Sequence, residues 1–137
     1  QAIAGQMVEQ NRDMFNQTVG GGGDDAALAL AQQALAAGEN VDAPDAMKWT
    51  RLHHAVANSH PKTAAFLLGK GASVNAQAMG GLTALHIAAQ NGDDEMAKLL
   101  LGRGADKAIK NEAGGTPEDS ARYCGHQSTV ELLRRGG

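Results

Sequence analysis

Aromatic side chains are nearly absent from this 137-residue sequence: they make up 3% of it, whereas apolar residues together make up 42%. An interior without aromatic bulk must be built from Leu, Ala, Val, Ile and Met, which suits close helix packing better than a β-sandwich or a barrel. The length allows one domain with a real core. The composition therefore favours an all-helical protein.

The net charge is also small, and cysteine is rare. The net charge is only -3 without a basic run, which argues against a nucleic-acid surface. No apolar stretch approaches the roughly 20 residues needed to span a membrane. The single cysteine, Cys124, cannot form an internal disulfide, so nothing indicates an oxidising compartment. We therefore expect an intracellular protein, cytoplasmic or nuclear, with no nucleic-acid or membrane partner.

Glycine, in contrast, is abundant and periodic. Glycines recur every 33 residues, at Gly38, Gly71, Gly104 and Gly137. Threonines recur with the same period, at Thr50, Thr83 and Thr116. Two registers that agree on one period indicate a stacked array, in which no unit buries its apolar face alone.

The period divides the sequence into helix-turn-helix units. Full units cover 45–77 and 78–110, a terminal unit covers 111–137, and a degenerate unit without its first helix covers 26–44. The terminal unit has polar residues where the earlier copies have leucine and histidine, which suits an outer face in water. The predicted repeat domain therefore spans 26–137.

The N-terminal 19 residues do not follow the period. Ile3, Met7, Met14 and Phe15 belong to an apolar stripe at helical spacing, which predicts an amphipathic helix over 2–16. A glycine-rich linker over 20–25 follows, because each of its consecutive glycines costs a helix about 1 kcal/mol relative to alanine.

Three interpretations of this arm remain open. It is the missing first helix that covers the end of the stack, a tethered or fused peptide ligand held by the array, or a tail that is disordered until it meets another chain. As a ligand, bound in cis or in trans, it would make contact through Ile3, Met7, Met14 and Phe15. An oligomerisation helix is a further role for the same stripe.

The central unit resembles the ankyrin repeat. Residues 81–89, which read GLTALHIAA, with Gly92 after them, follow almost the whole helix-turn-helix phrase of that family. The first full unit departs from it, because Arg51 replaces the usual proline, Lys48 the usual glycine and His54 an aliphatic residue. Ala84 replaces the proline in the central unit.

The resemblance implies an all-α solenoid of about four helix-turn-helix units, whose loops project along one side to make a concave face. It also implies that His53 and His86 tie each repeat to the next by hydrogen bonds. Such a domain is expected to bind a protein or peptide through the concave face and the loop tips. The alternative is a non-catalytic accessory or regulatory domain of a larger enzyme or channel, with the arm as cap, autoinhibitory segment or oligomerisation helix.

No catalytic or metal-binding constellation is evident. His53 and His86 belong to the repeat, and only His54 is left without a role among the histidines. A zinc site needs three or four convergent ligands at short spacing. Cys124 lacks the surroundings of an activated nucleophile. We therefore expect no enzymatic activity, no metal and no cofactor.

The residues predicted to contact a partner are Met47, Trp49, Ala57, Asn58, Met79, Leu82, Gln90, Asn91, Glu112 and Tyr123. Trp49 and Tyr123 are the strongest candidates, because aromatic residues dominate measured interface energies. The competing interpretation of Trp49 is that it packs across the neighbouring loop. Acidic Asp45 and Glu112 beside the apolar strip suggest a partner with an apolar anchor and some basic residues.

Asn75 is a second kind of candidate. Its surroundings, LLGKGASVN, resemble the ankyrin loops in which an oxygen-dependent hydroxylase modifies asparagine. The competing interpretation is that Asn75 only stabilises the turn.

Overall fold

The computed structural model describes residues 23–135 of the chain, so the predicted helix over 2–16 lies outside the described residues. The helices are α1 Gly23–Ala36, α2 Arg51–Ala57, α3 Pro61–Gly69, α4 Ala84–Asn91, α5 Asp94–Gly102, α6 Pro117–Tyr123 and α7 Gln127–Arg135. A short 3₁₀ turn covers Met79–Gly81, and no strand occurs between residues 23 and 135. The predicted all-α class is confirmed.

The helices stack in two rows. The first helices of the units, α2, α4 and α6, pack against one another in sequence, and the second helices, α1, α3, α5 and α7, form a parallel row. Within each unit the two helices also pack together, as α2 with α3, α4 with α5 and α6 with α7. The array is the predicted helical solenoid.

One continuous core runs through both rows. Leu52, Leu85 and Leu133, which belong to three different units, are fully buried members of the same cluster. Because each unit contributes a few aliphatic side chains to a core shared with its neighbours, the stack needs no large aromatic residue.

The threonines of the repeat start the first helices. The hydroxyl of Thr50 accepts the backbone N–H of His53, and that of Thr83 accepts the N–H of His86. Thr116 caps α6 in the same way, with Asp119 in place of the histidine. In all three units the side chain three residues after the threonine accepts the threonine N–H in return. The helices α2, α4 and α6 therefore each begin with a complete capping box.

Helix α1 corrects one boundary. It begins at Gly23, so residues 23–25 belong to a helix and were wrongly assigned to the predicted linker over 20–25. The first position of a helix tolerates glycine, and Asp24 and Asp25 in the first turn interact favourably with the helix dipole. With 14 residues, α1 is five residues longer than α3, which has nine.

None of the helices between residues 23 and 135 is long and apolar enough to cross a membrane.

Candidate functional site

The loops between the units form a connected row. Each loop is closed by a backbone hydrogen bond across four residues: Asp45 N to Trp49 O at 2.9 Å, Ala78 N to Leu82 O at 2.8 Å, and Asn111 N to Gly115 O at 2.8 Å. Neighbouring tips are also joined, because the N–H of Met79 donates to Met47 O at 3.0 Å and that of Glu112 donates to Gly80 O at 2.9 Å. We call this set of tips the loop-tip row.

One position of the loop-tip row requires a left-handed backbone. Lys48, Gly81 and Gly114 occupy it, with φ of 61°, 76° and 85°. A Cβ added to Gly81 would lie 2.8 Å from the backbone nitrogen of Glu112, so two loops approach each other closely at this glycine. Lys48 adopts the same conformation without the freedom of a glycine.

The two repeat histidines connect each unit to the next loop. His53 Nε2 donates to the carbonyls of Ala76 and Leu82, both at 3.1 Å, and His86 Nε2 donates to Gly115 O at 2.9 Å. Burial lowers the pKa of both rings, which favours the neutral form. Their role is therefore structural.

Asn75 forms a second connection between units. Its Oδ1 accepts the N–H of Asp106 at 2.8 Å, as Asp42 Oδ1 accepts the N–H of Ser73 one unit earlier at 2.8 Å. The Asn75 amide also donates to Gly104 O at 3.4 Å. These contacts give Asn75 the turn-stabilising role, and its modification stays a prediction.

Three of the predicted contact residues are large apolar side chains that remain exposed. Met47 is 54% exposed, Met79 49% and Tyr123 94%. Met79 and Glu112 line one shallow depression, and Gln90 and Tyr123 line a second. Asn111 lines both, so the two depressions adjoin.

Trp49 does not project into solvent as a free anchor. It is half-buried against the core, and its ring centroid lies 5.9 Å from that of His53 and 5.0 Å from that of His54. Leu82, one period later, is half-buried as well. This placement favours the interpretation of Trp49 as a packing residue.

The remaining predicted residues lie at the ends of the first helices. Ala57 and Asn58 are half-buried, whereas Gln90 and Asn91 are exposed. The Asn91 amide donates to Ala57 O at 3.2 Å, which joins the ends of α2 and α4. Asn58 lines a different cleft, at the N-terminal end of the stack.

The acidic side chains predicted to flank this surface already interact with other groups of the same chain. The carboxylate of Asp45 accepts the N–H groups of Met47 and Trp49 and the Nε2 of His54 at 2.8 Å. The hydrogen bond from His54 is the largest cause of a lowered Asp45 pKa. Sequence reasoning missed this pair, although it gives His54 its role. Glu112 shares its depression with Lys48 and Lys110, so no net acidic patch results.

Among residues 23–135, no three His, Cys, Asp or Glu side chains lie close enough to hold a metal ion. The thiol of Cys124 is free and exposed.

The fold and the connections between units agree with a comparison to known families. Residues 52–101, from α2 almost to the end of α5, match a family model described as ankyrin repeats (many copies). Residues 52–101 are therefore built of ankyrin repeats. Ankyrin repeats are generally protein-interaction modules, built on extended surfaces, and are typically non-catalytic. No curated protein matches the chain.

Proposed function

We propose that the loop-tip row and the exposed ends of the first helices bind a polypeptide partner, with Met47, Met79 and Tyr123 as the anchors. The observation that carries this proposal is the exposure of these three side chains, at 54%, 49% and 94%. Single exposed apolar residues are normal, but several on connected loops and helix ends of one scaffold indicate an interaction site.

The rigidity of the loop-tip row supports the same function. Backbone hydrogen bonds close each loop and join Met47 to Met79 and Gly80 to Glu112. A surface that is ordered before binding loses little conformational entropy when the partner arrives. The affinity can therefore come from a few anchors.

The chemistry of the anchors indicates the kind of partner. Methionine is flexible and adapts to irregular apolar shapes, whereas tyrosine supplies area together with a hydroxyl that can hydrogen-bond. A segment with apolar side chains at regular intervals, either a helix or an extended strand, fits such a surface. We expect an interface of about 1,200–2,000 Å² in total. The domain itself carries out no reaction in this proposal.

The test is a peptide selected against the whole chain from a displayed random library. Tyr123→Ala should weaken its binding by about 2 kcal/mol, or roughly 30-fold, because a fully exposed aromatic anchor loses its contact area. Met79→Asp should also weaken binding, because the new carboxylate would become buried in the interface. The control is Lys98→Ala, an exposed site on α5 in the second-helix row, which should bind as the wild type does. Equal affinities for all variants would refute the proposed surface.

A further inference from the structure

At the N-terminal end of the stack, the part of the chain that the structure describes leaves a cleft beside α1 and α2. Among residues 23–135, the row of second helices begins with α1, whereas the row of first helices begins with α2, in the following unit. A cleft of about 170 Å³ lies between them, lined by Ala27 and Leu30 of α1 and by Arg51, His54 and Ala55 of α2. A dry cavity of roughly 150 Å³ accommodates a benzene ring, so the cleft has room for a large apolar side chain.

A comparison between units shows what covers the equivalent face of α4, the next first helix in the row. In α4, Ala84 and Ile87 are 1% and 4% exposed, because α2 packs over them. Arg51 and His54 occupy the same positions in α2, one period of 33 residues earlier, and their side chains are 39% and 53% exposed. Leu30 of α1 is 52% exposed beside them.

We propose that residues 2–16 of the same chain occupy this cleft as the missing first helix. Their apolar stripe, with Ile3, Met7, Met14 and Phe15, supplies side chains for Leu30 and for the volume between α1 and α2. The occupant is thus a segment of this chain, bound in cis.

The length of α1 supports this occupant. A helix over 2–16 would be about 22 Å long, and the 14 residues of α1 extend about 21 Å. The other second helices have nine residues each, and the first helices with which they pair have seven or eight. The five additional residues of α1 provide a surface for a first helix that is correspondingly longer.

The connection is also sufficient. Residues 17–22 would join the two helices, and six residues reach up to about 20 Å. The complete units turn within two or three residues, at 58–60, 92–93 and 124–126. These turns each contain a left-handed residue, namely Ser59, Gly92 and Gly125. The glycines at 20–22 can adopt that conformation without strain.

The polar side chains of the cleft do not oppose an apolar occupant. The guanidinium of Arg51 pairs with Glu39 at 2.8 Å, and the imidazole of His54 contacts Asp45 at 2.8 Å. Both partners lie in the segment between α1 and α2 and do not line the cleft, so these groups keep their hydrogen bonds when the apolar part of the cleft is filled.

Hydrogen exchange of the full chain tests the proposal. In Met7→Asp, the amides of α1 should exchange roughly tenfold to a hundredfold faster, because the apolar contact that protects them is lost. Met7→Ala should have a smaller effect in the same place. The control Asn16→Asp adds the same charge on the opposite side of the predicted helix and should leave the exchange of α1 unchanged. The amides of α7 should be unaffected in all three, which separates a local effect from global unfolding.

A reciprocal variant identifies the contact. Leu30→Asp should accelerate exchange in α1 as Met7→Asp does, and the double variant should be no faster than the single ones, because both disrupt one contact. Additive effects would overturn the proposal. So would faster exchange near Tyr123 instead of α1, which places the arm on the partner surface, or a change of solution mass from dimer to monomer, which places it on a second copy.

Discussion

The first full unit and the central unit have a left-handed backbone at two equivalent positions but different side chains there. Where the central unit has Gly81 and Gly92, with φ of 76° and 67°, the first unit has Lys48 and Ser59, with φ of 61° and 56°. A left-handed residue other than glycine costs about 1 kcal/mol. The neighbouring units therefore impose the turn geometry, and the first unit adopts it at a cost in stability.

The faces of the two units differ for a related reason. The central unit has first helices on both sides, and its Ile87 is buried. The first unit has α4 on only one side of α2 among the described residues, and His54 is half exposed there. The sequence of a repeat thus depends on how many neighbours cover it.

The largest effect is expected at the close approach of two loops. Gly81→Ala should destabilise the protein by about 3 kcal/mol, because it adds both the left-handed penalty and a Cβ 2.8 Å from Glu112 N. The matched control is Gly114→Ala, at the same position of the next loop, where nothing lies within 4 Å of the new Cβ. Gly114→Ala should lower the free energy of unfolding, measured by urea denaturation, by only about 1 kcal/mol. Equal losses would contradict the role assigned to the contact.

Trp49 offers the next largest test. Trp49→Ala should lower the free energy of unfolding by about 2 kcal/mol, because its half-buried ring packs on His53 and His54. Tyr123→Ala, at an aromatic side chain that is 94% exposed, should leave unfolding nearly unchanged. If Trp49→Ala instead impairs only peptide binding, the residue is an anchor and the packing assignment is wrong.

A pH effect should be smaller and confined to mildly acidic conditions. Unfolded histidines gain a proton near pH 6.5, whereas burial lowers the pKa of His53 and His86 in the folded state. The unfolded state then binds more protons, so stability should fall as the pH decreases below about 6.5. Urea midpoints between pH 7.5 and 5 measure this slope. The window lies above the range in which Asp45 titrates, since the pKa of that carboxyl is lowered. His86→Gln should reduce the slope of stability against pH. An unchanged slope would show that the buried histidines do not cause the pH dependence.

The smallest effect is a gain. Lys48→Gly should stabilise the protein by about 0.5–1 kcal/mol, because glycine removes the left-handed penalty and only part of that benefit is offset by a more flexible unfolded chain. Arg103→Gly, at an exposed residue with φ of −107°, should bring no gain. Thermal unfolding of both variants decides whether strain at Lys48 or a general effect of glycine is responsible.

Much of the fold was predictable because its signals are local. The threonine caps, the glycine stops and the apolar spacing of each helix lie within a few residues, so Thr83 and Gly92 mark α4 correctly. The start of α1 was not predictable in this way. Gly23 appears as part of a glycine run, yet it belongs to α1, a helix that packs along α3.

The candidate surface was predictable only in part. The repeat phase places Met47, Met79 and Tyr123 on loop tips and helix ends, and these three are exposed. The same phase cannot show that the Trp49 ring lies against His54, or that the Asp45 carboxylate is used by its own loop. Those contacts depend on side-chain directions that a one-dimensional pattern does not contain.

The sequence by itself determined the period, the helices and the class of protein, because capping and helical spacing act between residues close together in the chain. Only the tertiary structure decided which apolar side chains remain exposed, which charges are already paired, and where the described helices leave a cleft beside α1 and α2. The reason is that these properties depend on packing between units, across separations of about 33 residues.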